Sequence, residues 1–209
     1  MQTNTEDQGH PRNEVFRVIG ERRSVRTFLP DPVSDQDIQA LLEAANKAPS
    51  AHNQQSWRFI VIRGEKKQGL VDLLHHRASG FPKASAVLLR MASRTIATAP
   101  VVIAIANTGD LIEHGTSLFQ IDQESSLDFF RTMEIQSSSA AVQNMLLAAT
   151  SLGLGTVWLG IMYLIKAEVL EFLGEPQGEF MAIVPVGYPS RVGSGPAKRS
   201  LEIVTKWME

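Results

Sequence analysis

The chain contains no cysteine among its 209 residues. Without thiols it can form no disulfide, no Fe–S cluster, no thiolate zinc site and no cysteine nucleophile. The absence of cysteine fits a reducing compartment. Residues 1–13 are polar and carry no apolar run of the kind that marks a secretory signal. We therefore expect a cytoplasmic protein.

The chain also lacks a surplus of basic residues, since its formal net charge is -2 at pH 7. Proteins that bind nucleic acids usually carry such a surplus, because phosphate contacts supply most of their affinity. We therefore expect no nucleic-acid partner, and any anion-binding site must be local.

An apolar stretch of membrane-spanning length occurs at Ala140–Ile165. Gln143, Asn144 and a Gly-x-Gly pair interrupt it, and real spans rarely break in that way at mid-depth. We interpret the stretch as a buried helix, a glycine turn and a short strand, and we expect no membrane partner.

Several motifs of common enzyme classes are missing from the sequence. The five histidines show no H-E-x-x-H spacing, so we predict no metal site, and there is neither a G-x-S-x-G elbow nor a Walker loop. Gly153–Gly160 is glycine-rich, but Trp158 stands where a dinucleotide fingerprint needs its third glycine. Hydrolase, P-loop and Rossmann functions therefore lack support.

The hydrophobic spacing predicts a chain of both helices and strands, with a flexible tail at 1–12 and a single domain at 13–209. Pro185 indicates an edge or a bend in the last strand. Residues 107–132 show no strong pattern and are predicted to form an irregular lid or binding loop. The tail from Gly193 to Glu209 is a candidate for docking on another subunit. Helices are predicted around residues 15–19 and at 34–48, 65–77, 84–98, 135–152 and 166–173, and strands at 57–62, 100–106 (central), 156–160 and 180–187.

Three guanidinium groups and a hydroxyl lie within Arg22–Arg26. Arginine offers a rigid fork of donors that matches phosphate oxygens. In an extended segment, alternation would point Arg22, Ser24 and Arg26 to one side. From the residues alone, a solvated basic patch is an equally good interpretation.

Polar side chains also crowd the segment Pro49–Trp57, between a predicted helix and a predicted strand. Amides and hydroxyls of this kind can bind the edge of a heterocycle. Ordinary turn chemistry explains the same residues and is the better interpretation of the loop alone. Lys198 and Arg199 in the tail carry little information by themselves.

The order of four motifs resembles that of the nitroreductase family. Arg22–Phe28 is similar to the family's R-R-S-x-R-x-F opening, and Ala48–Trp57 to its A-P-S-x-x-N-x-Q-P-W segment, with Ser56 in place of the usual proline. Gln143–Gly160 resembles the Q-N-L to W-x-G block, and Gly187–Pro189 followed by Lys198-Arg199 resembles the closing segment. The likeness spans residues 13 to 204, but 107–132 matches no feature of the family.

The resemblance implies an α+β fold with a nitroreductase-like mixed β-sheet flanked by helices, in a homodimer whose C-terminal tail extends onto the partner subunit. It implies FMN at the interface and NAD(P)H as hydride donor. Hydride would pass through flavin N5 to an electron-poor acceptor, such as a nitroaromatic or a quinone, in ping-pong order. The cofactor would carry the chemistry, so no catalytic side chain is expected.

The resemblance also implies a role for individual residues. Arg22 and Arg199 would bind the phosphate, with Lys198 as a helper and Arg23 nearby. Ser24 would bind the ribityl chain or the pyrimidine edge, and Arg26 would lie near flavin O2 and N1, with Arg94 as a second cation there. The backbone of Leu159 and Gly160 would lie near N5. The other subunit would contribute Pro49, Ser50, Ala51 and Asn53.

Three alternatives remain open from the sequence. The same scaffold hosts a reductive dehalogenase and a flavin-fragmenting enzyme of cobalamin biosynthesis, and fold does not fix function. A second alternative is a flavin-binding protein without turnover. A third is a structural domain in which Arg22, Arg26 and Arg199 are surface charges.

Overall fold

The computed structural model describes residues 13–119, 122–191 and 193–209. The predicted tail at 1–12 lies outside them. The described elements are α1 (Glu14–Glu21), α2 (Asp35–Asn46), β1 (Trp57–Ile62), α3 (Gly64–Ala78), α4 (Lys83–Thr98), β2 (Val101–Asn107), α5 (Asp110–Phe119), α6 (Gln123–Ser151), β3 (Gly155–Thr156), α7 (Lys166–Leu173), β4 (Glu179–Gly187) and α8 (Leu201–Val204), with 3₁₀ turns at Ala51–Asn53 and Ile161–Ile165.

The four strands form one sheet in the order β1-β2-β4-β3, and each neighbouring pair is antiparallel. A parallel bridge from Ser24 to Thr156 makes the β3 edge mixed. The predicted central position of β2 is confirmed, and all seven of its residues are buried. Apolar residues at every position are typical of a strand that is covered on both faces.

Helices cover both faces of the sheet, and the side chains of β2 alternate between the two cores. Val102 and Ala104 pack with residues of α3, α4 and α7 on one face. Ile103 and Ile105 pack with residues of α2 and α6 on the other. The chain is therefore a three-layer α+β structure, as the sequence predicts.

Local chemistry sets the start of α2, as expected from Ser34. The Ser34 hydroxyl accepts a hydrogen bond from the Asp37 backbone N–H at 3.0 Å and donates one to Asp37 Oδ2 at 2.7 Å. This reciprocal cap satisfies a backbone donor that the first turn leaves free. Ile38 and Leu41 then lie on the buried face of the helix.

The prediction that residues 107–132 have an irregular backbone is wrong. Most of this stretch is helical, because α5 begins at Asp110 and α6 begins at Gln123, well before the predicted start at residue 135. Gly115 is a packing position here rather than a break, since a methyl group there would overlap the ring of Phe130. A glycine allows α5 to pack closely against α6, so neither helix needs the regular apolar stripe from which a helix is predicted.

Two predictions about the last strands need correction. β3 contains only Gly155 and Thr156, although an isolated bridge joins Leu159 to Ile183 of β4. β4 lies inside the sheet and not at its edge. Pro185 is tolerated because its nitrogen points to the same side of β4 as the Ile183 N–H, which is the side away from β2. It faces the gap between β3 and the Leu159–Ile183 bridge, so no hydrogen bond to β2 is lost.

The apolar stretch Ala140–Ile165 divides as expected into the buried end of α6, a turn at Gly153 and the short strand β3. In the part of the chain that the structure describes, no helix combines the length and the apolar character that a membrane crossing needs.

The C-terminal tail leaves the sheet at Gly187 and is exposed from residue 193 onward. Its apolar side chains have no cover within the described chain, and Trp207 is 85% exposed and Leu201 73% exposed. Exposure of large apolar side chains along a tail is typical of a segment that packs on another protein surface.

Candidate functional site

The segment 22–28, which we call the arginine segment, lies between β3 and the residues that follow β4. The Val25 N–H donates to the Thr156 carbonyl at 2.9 Å, and just beyond the segment the Leu29 N–H donates to the Tyr188 carbonyl at 2.8 Å. Val25 and Phe28 are buried, whereas Ser24 and Arg26 are exposed. Main-chain hydrogen bonds on both sides therefore fix the direction of the polar side chains.

The absence of a side chain at Gly155 allows this arrangement. A Cβ atom there would lie 2.8 Å from Val25 Cγ2, closer than packed side chains approach. Gly155 is thus required by the close packing of Val25 against β3. The glycine-rich segment after α6 therefore positions the arginine segment through the buried side chain of Val25.

The polar side of the arginine segment faces a cleft of about 700 Å³, which we call the arginine cleft. None of its described lining residues is acidic, so the cleft concentrates positive charge on a chain with a net negative charge. Such a donor set matches a phosphate or another compact anion. Its cationic lining residues are Arg22, Arg23, Arg26, Arg191 and Lys198.

A second cleft of about 400 Å³, which we call the apolar cleft, lies between α4 and the segment 158–161. Leu88, Met91 and Trp158 give it an apolar wall suited to a flat ring. Arg26 lines both clefts, so this residue lies where the basic region meets the apolar one. The two clefts together fit a ligand with an anionic end and an aromatic end.

Leu159 and Gly160, whose backbone the resemblance would place near flavin N5, both line the apolar cleft. The Leu159 N–H is already used, because it donates to the Ile183 carbonyl at 2.9 Å, and the Leu159 carbonyl accepts from the Ile183 N–H at 3.2 Å. Of the two residues, Gly160 is therefore the one whose N–H can be offered to a ligand.

Arg23 lines the arginine cleft, but its guanidinium binds the protein backbone. Its Nε donates to the Ser194 carbonyl at 2.9 Å, and its Nη1 donates to the Gly20 carbonyl at 2.6 Å and to the Arg22 carbonyl at 2.8 Å. The alternation expected of an extended segment separates Arg23 from Arg22 and Arg26, but it does not reveal that the Arg23 guanidinium is bonded to backbone carbonyls.

The loop of residues 49–55, which we call the amide loop, lines neither cleft, although the sequence groups Pro49, Ser50, Ala51 and Asn53 with the site. Three of its residues, none of them glycine, have a positive φ of 53°: His52, Asn53 and Gln55. Each such conformation costs about 1–3 kcal/mol and persists only where its surroundings hold it.

Hydrogen bonds hold the amide loop in this form. The Ala51 N–H donates to Ser137 Oγ of α6 at 3.1 Å, and the Gln55 N–H donates to Ser50 Oγ at 3.1 Å. The Gln55 amide also donates to Asn53 Oδ1 at 3.1 Å. The loop is thus a pre-formed surface element whose residues line neither of its own chain's two clefts.

Three further cations have different placements. Arg199 and Arg94 are exposed and line neither cleft. Arg191, which sequence reasoning missed, lines the arginine cleft. The signal that could have found it is its position, two residues after Gly187-Tyr188-Pro189, where the chain turns back along the arginine segment.

A buried polar group lies below the far end of the amide loop. Glu134 of α6 is 1% exposed, and burial raises the pKa of its carboxyl above the usual value. Its Oε1 accepts from the Leu111 N–H at 2.9 Å. Within the described chain, Glu134 Oε2, Ser56 Oγ and Asn107 Nδ2 are buried without a hydrogen-bond partner.

Comparison with known proteins gives this geometry a family. The sequence model of the nitroreductase family matches residues 19–188. A protein of Archaeoglobus fulgidus, provisionally named NADH dehydrogenase/NAD(P)H nitroreductase, is 32% identical over 180 residues, which cover 84% of this chain and 86% of that protein.

Solved structures agree with the sequence match. A nitroreductase from Desulfitobacterium hafniense with bound FMN has a TM-score of 0.72 and 26% identity, over 94% of this chain and 99% of that chain. A provisionally assigned nitroreductase from Desulfovibrio desulfuricans in complex with FMN has a TM-score of 0.71 and 30% identity, over 94% and 98%. The sequence match, the fold and the paired clefts lead to one conclusion: this chain belongs to the nitroreductase family.

Proposed function

We propose that the chain is an FMN-dependent oxidoreductase that takes hydride from NADH or NADPH and passes it to an electron-poor acceptor such as a nitroaromatic or a quinone. One observation carries the proposal: a cleft lined by five cations meets an apolar cleft at Arg26. The names of the relatives and the FMN in two related structures support the same choice.

The donor set fits FMN at both of its ends. The arginine cleft offers guanidinium and ammonium groups to a phosphate dianion, and the Ser24 hydroxyl can bind a polar chain that leaves it. The apolar cleft, with Leu88, Met91 and Trp158 in its wall, can hold the flat ring. When bound, FMN would supply the hydride chemistry, accepting a hydride and releasing it to a second substrate.

The residues of this chain would bind and tune the cofactor. Arg22 and Lys198 would neutralise the phosphate, and Arg199 would join them if the tail closes toward the cleft. Arg26 would place a fixed positive charge at the pyrimidine end, where reduction leaves negative charge, and so favour reduction. The Gly160 N–H would donate to the ring near its reactive edge.

We also propose that the working unit is a homodimer. Pro49, Ser50, Ala51 and Asn53 line neither cleft of their own chain, yet the amide loop is held ready by hydrogen bonds. The tail carries exposed apolar side chains such as Trp207. A second copy would receive the tail and present its own amide loop to the ring, which accounts for both features.

With the flavin ring in the apolar cleft, the two substrates would share one slot on the open face of that ring. Nicotinamide and acceptor would stack there in turn, held by apolar contact and selected by shape. No side chain needs to act as an acid, a base or a nucleophile, because the residues bind and orient while the cofactor transfers hydride. Kinetics should therefore be ping-pong, with parallel double-reciprocal lines when NAD(P)H and acceptor are varied together.

The first experiment is a visible spectrum of the purified protein, followed by anaerobic addition of NADH or NADPH. Flavin absorbance that bleaches with either nucleotide supports the proposal, and a panel of nitroaromatics, quinones and halogenated phenols then identifies the acceptor class. Bound flavin that neither nucleotide reduces would contradict turnover and favour a binding protein or a flavin-fragmenting enzyme. A protein that takes up no added FMN would contradict the cofactor assignment.

A further inference from the structure

The hydrogen bonds of Arg23 join two parts of the chain that are far apart in sequence. Gly20 belongs to the last turn of α1, where backbone carbonyls have no partner within the helix. Arg23 Nη1 donates to the Gly20 carbonyl, while its Nε donates to the Ser194 carbonyl in the tail, 171 residues away from Arg23. One guanidinium therefore caps α1 and holds the start of the tail.

The tail lies directly on the Arg23 side chain. Gly195 has a φ of 74°, and a Cβ atom there would come within 3.1 Å of Arg23 Cδ. Upstream, the Ser190 N–H and hydroxyl both donate to the Thr27 carbonyl, at 3.1 and 3.0 Å. The chain between these two anchors carries Arg191 along the wall of the arginine cleft.

We propose that Arg23 is a positioning residue that fastens residues 193–196 to the end of α1. It thereby sets the wall of the arginine cleft and brings Lys198, a few residues further on, to its lining. Its effect on FMN rests on the proposed function. Its effect on the tail does not, because the hydrogen bonds of Arg23 join residues of this chain to one another.

The proposal depends on the shape of guanidinium and not only on its charge. Arg23 uses two different nitrogens, Nε toward Ser194 and Nη1 toward Gly20 and Arg22. A lysine has all its donors on one terminal nitrogen and lacks the Nε donor that Arg23 directs at the Ser194 carbonyl. Arg23→Lys therefore keeps the charge near the cleft and removes the connection, whereas Arg23→Met removes both.

The direct test is limited trypsin digestion of the purified protein, with cleavage at Arg191, Lys198 and Arg199 followed by intact mass. Arg23→Met and Arg23→Lys should both release the tail about tenfold faster than wild type, since each loses hydrogen bonds at the tail. The control is Arg77→Met, which removes a surface arginine paired with Glu168. It should leave the rate unchanged.

FMN titration then separates positioning from direct contact. Both Arg23 variants should bind FMN less tightly, by about tenfold. Wild-type behaviour of Arg23→Lys in both assays would overturn the proposal in favour of simple charge attraction. Weaker FMN binding with an unchanged digestion rate would overturn it in favour of direct contact.

The two proposals fail in different ways. A wild-type protein that binds no FMN would contradict the proposed function, while the digestion of the ligand-free variants would still test the connection between Arg23 and the tail. Equal digestion rates in all four proteins would contradict the positioning role even if FMN binds as proposed.

Discussion

The arginine segment (22–28) and the amide loop (49–55) are both short polar segments next to helices, but the chain holds them by different means. Thr156 and the residues after β4 hold the backbone of the arginine segment on its two sides, and its polar side chains line two clefts of the same chain. The amide loop relies on side-chain hydrogen bonds and on three residues with positive φ.

The difference indicates two kinds of functional segment. Regular packing defines the arginine segment, so its geometry is complete within one chain. The amide loop is kept in an unfavourable conformation that nothing in its own clefts requires. Strain of this kind clusters at functional sites, and here it agrees with our proposal that the loop serves a second subunit.

The strongest test of the arginine segment is Arg22→Met. We expect FMN to bind about 100-fold more weakly, because hydrogen bonds to a charged group contribute about 1.5–3 kcal/mol. Titration of the ligand-free protein with FMN, followed by flavin fluorescence, measures the change. Arg77→Met is the matched control. Equal affinity in the two variants would return the arginine segment to the interpretation as a solvated basic patch.

Gly155→Ala tests whether packing behind the segment sets its position. The new methyl group would press on Val25, and overpacking of this kind costs about 2 kcal/mol. Urea denaturation followed by circular dichroism should show that loss, and FMN affinity should fall with it. Gly80→Ala is the control, because its Cβ would make only an ordinary contact, 3.5 Å from the Arg77 carbonyl. A further Val25→Ala change should restore part of the loss.

The strain in the amide loop can be measured at His52. Its φ of 53° favours glycine, so His52→Gly should be more stable than His52→Ala by about 1 kcal/mol. Both variants lose the edge-to-face contact of the imidazole with Phe119, which the comparison thus cancels. Equal unfolding free energies for the pair would mean that the loop is not strained at this position.

The smallest expected effect is a pH dependence at Glu134, beside Ser56 at the end of the amide loop. Because burial raises its pKa, the folded chain keeps this proton over a range in which the unfolded chain, with a pKa near 4.5, has lost it. Its contribution to the unfolding free energy is therefore fully present below pH 4.5 and falls as the pH rises above that value.

Glu134→Gln removes this titration and keeps the shape of the side chain. Its stability should depend less on pH than that of the wild type, and it should gain relative to the wild type as the pH rises from 4.5 toward 8. Denaturation curves across that range provide the measurement. Parallel pH profiles for the two proteins would show that Glu134 is ionised in the folded chain.

Local signals made much of the fold predictable. Ser34 marks the start of α2 because its hydroxyl bonds to the next turn, and the uniformly apolar β2 indicates a covered strand. The sequence does not reveal the start of α6, because the contact there is between Gly115 and the ring of Phe130 and gives no periodic pattern of apolar residues. β3 was predicted too long, since apolar composition does not reveal where hydrogen bonding stops.

The site was predictable in composition and less so in geometry. Motif order placed Arg22, Ser24 and Arg26 together, and the clefts agree. The same order could not show that the Arg23 guanidinium donates to the Ser194 carbonyl, or that Leu159 is already hydrogen-bonded to Ile183. These facts depend on contacts between residues distant in sequence, which spacing within one motif does not contain.

The 29 residues of α6 form one uninterrupted helix, about 43 Å long at 1.5 Å per residue. Its inner half, including Val142 and Met145, is fixed in the core, while Leu127 and Phe129 on the outer half are about half exposed. Because the helix is continuous, the packing of its inner half fixes the rotation about the helix axis at which each outer side chain points. One residue inserted at mid-helix would turn the outer half by about 100°, whereas seven would turn it by only about 20°.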